Sequence, residues 1–317
     1  MNKIITPSTE IIIPEREKFA PGWHLDIENE RYHKSDGTSS SQLKTLIEHT
    51  PAHLAYGLTH HNEPTANMAL GTSVHSLVLE PDKFDDDIAV QPSILKKPTS
   101  AQVNAANPSD KTLVQIEAWN DFQKQCAGKT LITEEQYEKA QKMAARVWEE
   151  PALALLLEDT IVESSIYGWY RSMDRDDGTE YKQMLKVRPD AIPRGYPLLI
   201  DLKTCAEGSY SGFHRAMQNF YYHLSAAMYM QMCNQCQPLL DNLKIHAFTK
   251  FVFICIENTA PYEVSSYEIS AKYLEIGNSL FRQAVYRLHR AKKDNFPGYE
   301  QLRVLEPPSY ADKGFIV

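Results

Sequence analysis

The alternation of apolar and polar residues is clearest in the middle of the chain. Residues 186–192 (KVRPDAI) and 198–204 (LLIDLKT) are short runs rich in Val, Ile and Leu, bounded by Pro or Gly, and both are predicted to be β-strands. Residues 193–197 (PRGYP) between them are typical of a tight turn. The pattern therefore predicts a β-hairpin folded about residues 193–197.

Such a hairpin would bring two carboxylates together. Asp190 and Asp201 lie equally far from the centre of the turn, so we expect their Cβ atoms to be cross-strand neighbours, roughly 4.5–5.5 Å apart. Lys203 is expected on the same face, because side chains along a strand alternate with a period of two. Close carboxylates raise each other's pKa unless a cation lies between them, and Mg²⁺ prefers such oxygen ligands. The apolar run 198–200 favours a buried strand that ends in a cleft, and a solvated surface hairpin is the alternative.

The pattern before the hairpin is mainly helical. Periodic apolar residues and capping signals predict helices over residues 41–47, 52–58, 68–80, 119–126 and 134–150. His75 lies at the border of the apolar face of the third helix, where a structural role is more common than ligation. Residues 83–112 are polar and poorly periodic, which predicts a long loop of the kind that is often functional or mobile.

The pattern around and after the hairpin predicts more strands and two long helices. Residues 160–170 have the composition of a strand, and Asp177-Gly178 is a strong hairpin signal, so a three-stranded meander is predicted over 160–204. A single helix is predicted over 210–232, with a buried face formed by Phe213, Met217, Phe220, Leu224 and Met228. Strands over 247–257 and 262–269 and a helix over 271–292 follow.

Composition narrows the class of protein. The 317 residues are 43% hydrophobic and 23% charged, as in ordinary globular proteins. No apolar run reaches the roughly 20 residues of a membrane span, and no secretory signal is evident, so a cytoplasmic location is expected. The net charge of −8 means that any contact with nucleic acid would need a local positive channel. Cys233 and Cys236 have metal-ligand spacing but no second cysteine pair, which disfavours a zinc site.

An ordered set of motifs resembles the PD-(D/E)xK nuclease superfamily and, more narrowly, RecE-type exonuclease domains. The set covers about residues 40–300 and consists of Ser41, Thr50-Pro51-Ala52-His53, Gly71-Thr72-x-x-His75, Glu163-x-Ser165, Arg188-Pro189-Asp190, Asp201-Leu202-Lys203-Thr204, Tyr222-His223, Tyr229, Glu257, Pro261-Tyr262 and Phe296-Pro297-Gly298-Tyr299. The resemblance implies an α/β fold with a PD-(D/E)xK restriction-endonuclease-like core, in which a central mixed β-sheet is flanked by helices. It also implies an N-terminal extension over 1–38, a nuclease domain over 39–300 and a C-terminal tail over 301–317.

The resemblance assigns roles to particular residues. It implies that His75, Asp190, Asp201 and the backbone carbonyl of Leu202 bind Mg²⁺, or Mn²⁺, and so makes His75 a ligand. Lys203 would orient or deprotonate the attacking water, if its pKa is depressed, and would stabilise charge on the phosphate.

Substrate contacts follow from the same resemblance and from charge. Thr204, Ser225 and Tyr229 are expected to lie near the DNA. Ser225 stands where the family often has Gln, which shortens the reach of that side chain and puts the level of activity in doubt. Phe296 stands where the family often has Trp, a milder change. Phosphate contacts are predicted at Lys186, Arg188 and Arg215, with solvated surface charge as the alternative for each.

The activity implied by the resemblance is hydrolysis of linear double-stranded DNA from its ends, from 5′ to 3′, giving 5′-nucleotides and leaving single strands for recombination. A single-strand annealing protein as partner and a homo-oligomer, a tetrameric ring, are implied in the same way. An endonuclease on the same core and a non-catalytic DNA-binding or assembly protein remain as alternatives. Cleavage of closed circles would indicate the endonuclease, whereas loss of an acidic ligand or of the lysine would indicate the non-catalytic protein, and none of these residues is lost.

Overall fold

The computed structural model of the chain describes residues 13–60, 64–299 and 304–306. Its strands are β1 (Gly22–His24), β2 (Ile88–Gln91), β3 (Thr130–Thr133), β4 (Thr160–Val162), β5 (Ser165–Met173), β6 (Glu180–Val187), β7 (Ala191–Pro193), β8 (Leu198–Cys205), β9 (Lys250–Glu257) and β10 (Val264–Glu268). Its helices are α1 (Asn29–Lys34), α2 (Ser40–Glu48), α3 (Pro51–Thr59), α4 (Ala66–Leu79), α5 (Phe84–Asp87), α6 (Ser100–Val103), α7 (Asp110–Gln125), α8 (Glu134–Trp148), α9 (Pro151–Glu158), α10 (Tyr210–Asn219), α11 (Tyr222–Asn234), α12 (Gln237–Leu243) and α13 (Ala271–Lys293).

The largest sheet has the strand order β10-β9-β8-β7-β4. β8 and β9 run parallel, and the other neighbours run antiparallel, so the sheet is mixed. Helices cover both of its faces, with α4, α8 and α9 in one apolar cluster and α2, α10, α11 and α13 in the other. This arrangement confirms the predicted α/β fold class.

The central strand β8 is buried on both faces, as its apolar run predicted. Leu199 belongs to the cluster on one face, and Ile200 and Leu202 belong to the cluster on the other. Each of these side chains is at most 1% exposed. Burial of such a side chain contributes roughly 1.5–3 kcal/mol, so these contacts hold β8 rigidly in place.

The register of the predicted hairpin is confirmed, but its first strand begins only at Ala191, because residues 186–187 belong to β6 of another sheet. Ala191 of β7 pairs with Ile200 of β8. The same register sets Asp190 opposite Asp201, one residue further from the turn. The chain reverses through Gly195, whose φ of 80° is readily adopted only by glycine.

The predicted three-stranded meander is wrong, because its strands divide between two sheets. β5 and β6 pair with each other and with β1 in a separate three-stranded sheet, whereas β4 pairs with β7 in the large sheet. The chain crosses between the sheets at two corners, one at Glu163, with a φ of 46°, and one at Pro189. Pro189 has no N–H to continue a strand ladder, which favours a break there.

The predicted helix over 210–232 is two helices. α10 ends at Asn219 and α11 begins at Tyr222, after Tyr221 takes a left-handed φ of 49°. Phe213, Met217, Leu224 and Met228 are buried as predicted, but Phe220 lies at the break and is 56% exposed. The periodic pattern therefore located the buried face but not the change of direction.

Residues 83–112 are not one long loop. They contain α5, β2, α6 and the start of α7, after a short 3₁₀ turn at Pro81–Lys83, and β2 pairs in parallel with β3. α5, β2 and α6 have only four residues each. Elements this short complete too little of a helical or strand repeat for periodicity to reveal them.

The described part of the predicted N-terminal extension packs on the small sheet. β1 pairs with β5, and Thr38 bridges to Leu185 of β6. Residues 1–12 of the extension, and most of the predicted tail over 301–317, lie outside the described residues. Among the helices that the structure describes, none has the length and apolar character that crossing a lipid bilayer requires.

Candidate active site

The two corners between the sheets lie side by side. The backbone N–H of Glu163 donates to the carbonyl of Asp190 across a distance of 3.2 Å. Because the corners are joined in this way, the carboxylates of Glu163 and Asp190 project into the same space. Helix α4 contributes His75, whose Nδ1 lies 3.6 Å from Oδ2 of Asp190.

These three side chains form a candidate metal-binding group. The ligand atoms of His75, Glu163 and Asp190 all lie within 4.8 Å of one another. Two of the three, His75 and Asp190, are ligands that the sequence predicted. Glu163 was part of a recognised motif but was given no role, because no local pattern shows that a residue before a strand break will face a residue of another strand.

Strand β8 completes the cluster with Asp201 and Lys203. The backbone N–H of Leu202 donates to Oδ2 of Asp190 at 2.6 Å, which ties β8 to the corner. Nζ of Lys203 is ion-paired with Oδ2 of Asp201 and donates to the carbonyl of Leu202 at 3.2 Å. Asp201, a predicted metal ligand, is paired with Lys203 and is not among the described residues whose ligand atoms converge within 4.8 Å of one another, whereas Asp190 is. The Leu202 carbonyl is likewise in contact with the lysine.

The cluster holds more negative charge than its surroundings neutralise. Burial, reinforced by the neighbouring carboxylate of Asp190, raises the pKa of Glu163 to about 8. Burial and the carboxylate of Asp201 raise the pKa of Asp190. Oδ2 of Asp201, although ion-paired with Lys203, accepts no well-directed hydrogen bond from any described residue. These carboxylates with one imidazole fit a hard divalent cation such as Mg²⁺ or Mn²⁺.

The pKa of Lys203 is raised, whereas a depressed pKa was expected from the sequence. Burial lowers the pKa of its ammonium group, but the carboxylates of Asp201 and Asp190 outweigh burial and hold the pKa above its ordinary value. The side chain is therefore a cation at neutral pH. In that form it donates hydrogen bonds and balances charge, and it does not accept a proton.

Lys186 does not occupy the exposed position that a phosphate contact requires. Its side chain is 2% exposed, and its Nζ donates to the carbonyls of Tyr32 at 2.6 Å and of Ser35 at 2.9 Å, and to Oγ of Ser35 at 3.1 Å. The predicted phosphate contact at Lys186 is therefore wrong, because its donors are already bound to the N-terminal segment.

Arg188 is held in a similar way. Its Nε and Nη2 donate to Oγ of Ser165 at 3.0 and 2.7 Å, and Nη2 also donates to the carbonyl of Ile27 at 2.7 Å. The guanidinium lies 4.2 Å from the ring centroid of Tyr32. Arg188 therefore joins the small sheet to the N-terminal segment. Arg215 is exposed and ion-paired with Glu207, and its predicted phosphate contact stays a prediction.

The remaining predicted substrate residues lie around β8. Ser225 is buried on α11, and Tyr229 is half-buried with its ring against Phe251. Thr204 follows Lys203 on β8, and a Cβ atom at Gly71 would lie 3.3 Å from its Oγ1. Glycine at position 71 therefore allows α4, which carries His75, to approach β8 closely.

Comparisons with known proteins identify the family of this domain. A family model described as "PDDEXK-like domain of unknown function (DUF3799)" matches residues 39–303. A crystal structure of a candidate exonuclease from Eubacterium rectale is similar over 92% of this chain and 100% of that chain, with a TM-score of 0.55 and 13% sequence identity. A structure of SSO0001 aligns over 50% of this chain and 68% of that chain, at 16% identity and a TM-score of 0.27. No curated protein matches the chain by sequence.

Proposed function

The chain belongs to the DUF3799 family of PDDEXK-like domains, and from this we propose that it is a metal-dependent exodeoxyribonuclease. It would degrade linear double-stranded DNA from its ends, from 5′ to 3′, to 5′-nucleotides. The observation that carries the proposal is the convergence of His75, Glu163 and Asp190 within 4.8 Å, beside the ion pair of Asp201 and Lys203. The preference for DNA ends rests on the resemblance to RecE-type domains and is supported by the likeness in fold to the Eubacterium rectale structure.

The residues divide into a metal-binding part and a cationic part. His75, Glu163, Asp190 and Asp201 would hold Mg²⁺ or Mn²⁺, with the carbonyl of Leu202 adjacent. A divalent cation in such a site polarises a phosphoryl oxygen and lowers the pKa of bound water. Lys203, oriented by Asp201, would donate to the phosphate and balance the charge that develops on it.

Ser225, which stands where the family often has Gln, is the residue on which the level of activity depends. Its side chain is only 7% exposed, so it contributes little surface to a bound strand. The metal-binding and cationic residues are all present, and we therefore propose a catalytic protein. An annealing partner, a homo-oligomeric ring and a cytoplasmic location are proposed from the family resemblance alone.

The direct test is digestion of matched linear and closed-circular duplex DNA with Mg²⁺ or Mn²⁺ or with EDTA. The wild type should degrade only the linear DNA and only with metal, and a label at the 5′ or 3′ end should show which strand end is released first. Asp201→Asn should abolish degradation, whereas Asp241→Asn, on the exposed surface of α12, should not.

Two results would contradict the proposal. Cleavage of the closed circle would indicate an endonuclease on the same core. Absence of cleavage by folded wild type with either metal would favour a non-catalytic DNA-binding protein.

A further inference from the structure

A second lysine, Lys44, lies beside the candidate active site. Its Nζ is 5.0 Å from the ring centroid of Tyr222, and Nζ of Lys203 is 5.6 Å from the same centroid. Two ammonium groups from distant parts of the chain, one on α2 and one on β8, therefore share one aromatic ring. No sequence pattern indicated this, because Lys44 is simply one of several polar residues of an amphipathic helix.

The position of Lys44 is fixed by the start of its helix. Ser39 and Gln42 form a reciprocal capping box, in which Oγ of Ser39 accepts from the N–H of Gln42 and Oε1 of Gln42 accepts from the N–H of Ser39. Leu43 and Leu46 are fully buried in the core. With its first turn capped and its apolar face anchored, α2 directs Lys44 toward Tyr222.

Lys44 is half-buried and lacks the partners that Lys186 and Lys203 have. It makes no hydrogen bond or ion pair with any residue that the structure describes, whereas Lys186 donates to carbonyls and Lys203 is paired with Asp201. Burial, followed by the charge of Lys203, lowers the pKa of Lys44 to about 8, while Asp201 and Glu48 act in the opposite direction. Asp201 is the carboxylate that acts on both lysines.

We propose that Lys44 and Lys203, together with the ring of Tyr222, form a cationic subsite that binds a phosphate group of the nucleic acid. This inference rests on the proposed function and extends it by assigning a binding role to Lys44. A phosphate supplies the negative charge that the second ammonium group lacks, and lysine binds phosphate as a point charge. The net charge of −8 makes a local cationic site of this kind necessary for binding a polyanion.

The alternative is that Lys44 only packs on Tyr222 through a cation–π contact. Lys44→Met separates the two roles, because methionine keeps an unbranched side chain over the ring and removes the charge. Lys44→Arg retains the charge. Lys142, on the exposed surface of α8, provides the matched control Lys142→Met.

The experiment is fluorescence anisotropy of a labelled duplex in EDTA over a series of salt concentrations, so that the readout is binding and not cleavage. We expect Lys44→Met to weaken binding roughly five-fold and to reduce the slope of log K against log salt by about one. Lys44→Arg should restore both values, and Lys142→Met should match the wild type. Thermal unfolding of each variant checks that the fold is retained.

Duplexes that carry a 5′-phosphate or a 5′-hydroxyl show whether the bound phosphate is the terminal one or belongs to the DNA backbone. A defect of Lys44→Met on both duplexes indicates a backbone phosphodiester, and a defect only on the phosphorylated duplex indicates a terminal phosphate. If wild type binds and cleaves DNA but Lys44→Met behaves as wild type, the subsite is refuted and the proposed function stands. If wild type neither binds nor cleaves DNA, the proposed function itself fails.

Discussion

Two groups of buried charge meet along residues 186–190, where Lys186 and Arg188 of one group precede Asp190 of the other, and they differ in how their charges are satisfied. The basic anchor consists of Lys186 and Arg188, whose donors reach carbonyls and hydroxyls of the N-terminal segment and of Ser165. The acidic corner consists of Glu163, Asp190 and Asp201, which share Lys203 as the cation in contact with Asp201. The residues of both groups are mostly buried, so burial alone does not distinguish them.

The two groups differ in how many hydrogen-bonding or oppositely charged partners each buried charge has. The donors of Lys186 reach carbonyls although burial lowers its pKa to about 7, and removing the side chain would leave those carbonyls unpaired. A buried carboxylate beside another carboxylate raises the free energy of the folded state until a cation binds. The basic anchor is therefore expected to stabilise the fold, and the acidic corner is expected to carry the chemistry. Three substitutions test this distinction.

Asp190→Asn should have the largest effect and should act on activity. It removes charge from the candidate metal site, while the amide oxygen still accepts from the N–H of Leu202. We expect metal-dependent cleavage to fall on the order of 10³-fold, equivalent to about 4 kcal/mol of transition-state stabilisation. The unfolding temperature without metal should not fall. The rise in that temperature on adding Mg²⁺ or Mn²⁺, expected for the wild type, should disappear.

Lys186→Met should act on stability. The carbonyls of Tyr32 and Ser35 would lose their donor inside the protein, so we expect the free energy of unfolding to fall by about 3 kcal/mol. Cleavage per folded molecule should be unchanged, as measured below the unfolding transition. Lys182→Met, on the same strand but exposed, is the matched control and should change stability little. A loss of cleavage by folded Lys186→Met would mean that the two groups are not separate in function.

Glu163→Gln should have the smallest effect on the free energy of unfolding, and the size of that effect depends on pH. The pKa of Glu163 is raised from 4.5 to about 8, so without metal the folded state binds more protons than the unfolded state between these values. Stability of the wild type should therefore fall as pH rises through this window. Glu163→Gln should flatten the dependence and be about 2 kcal/mol more stable than wild type at pH 8 in EDTA. Denaturant titrations at pH 5 and pH 8, with the exposed Glu138→Gln as control, measure the difference in stability between variant and wild type. A difference that is the same at both pH values contradicts the raised pKa of Glu163.

The local sequence pattern was sufficient to predict structural elements that lie within one continuous segment of the chain. The hairpin of β7 and β8 was predicted with its register, because the position of the turn at Gly195 fixes which residues of the two strands face each other. The central position of β8 followed from an apolar run with no alternation. The buried faces of α10 and α11 followed from helical periodicity, because the packing that buries them repeats every turn.

The local sequence pattern was insufficient to predict how distant segments of the chain pair and pack. Neither the division of the predicted meander between two sheets nor the break at Tyr221 has a strong sequence signal, because a single positive φ changes the direction of a chain without changing its periodicity. Glu163 became a candidate ligand only because its corner is hydrogen-bonded to that of Asp190. Lys44 joined the site only because α2 packs beside α11, which carries Tyr222.

The sequence by itself determined the buried hairpin and the placement of Asp190, Asp201 and Lys203 on one face, since these depend on spacing within a short segment. The α/β class was implied by the resemblance of its motifs to PD-(D/E)xK nucleases. The tertiary structure decided which buried charges are satisfied. Lys186, Arg188 and Asp190 alternate along one stretch of chain, yet the first two meet the carbonyl groups of the N-terminal segment and the third meets Glu163 and His75. The partners of a charge come from distant segments, and only the packing of those segments determines whether it supports the fold or remains available for chemistry.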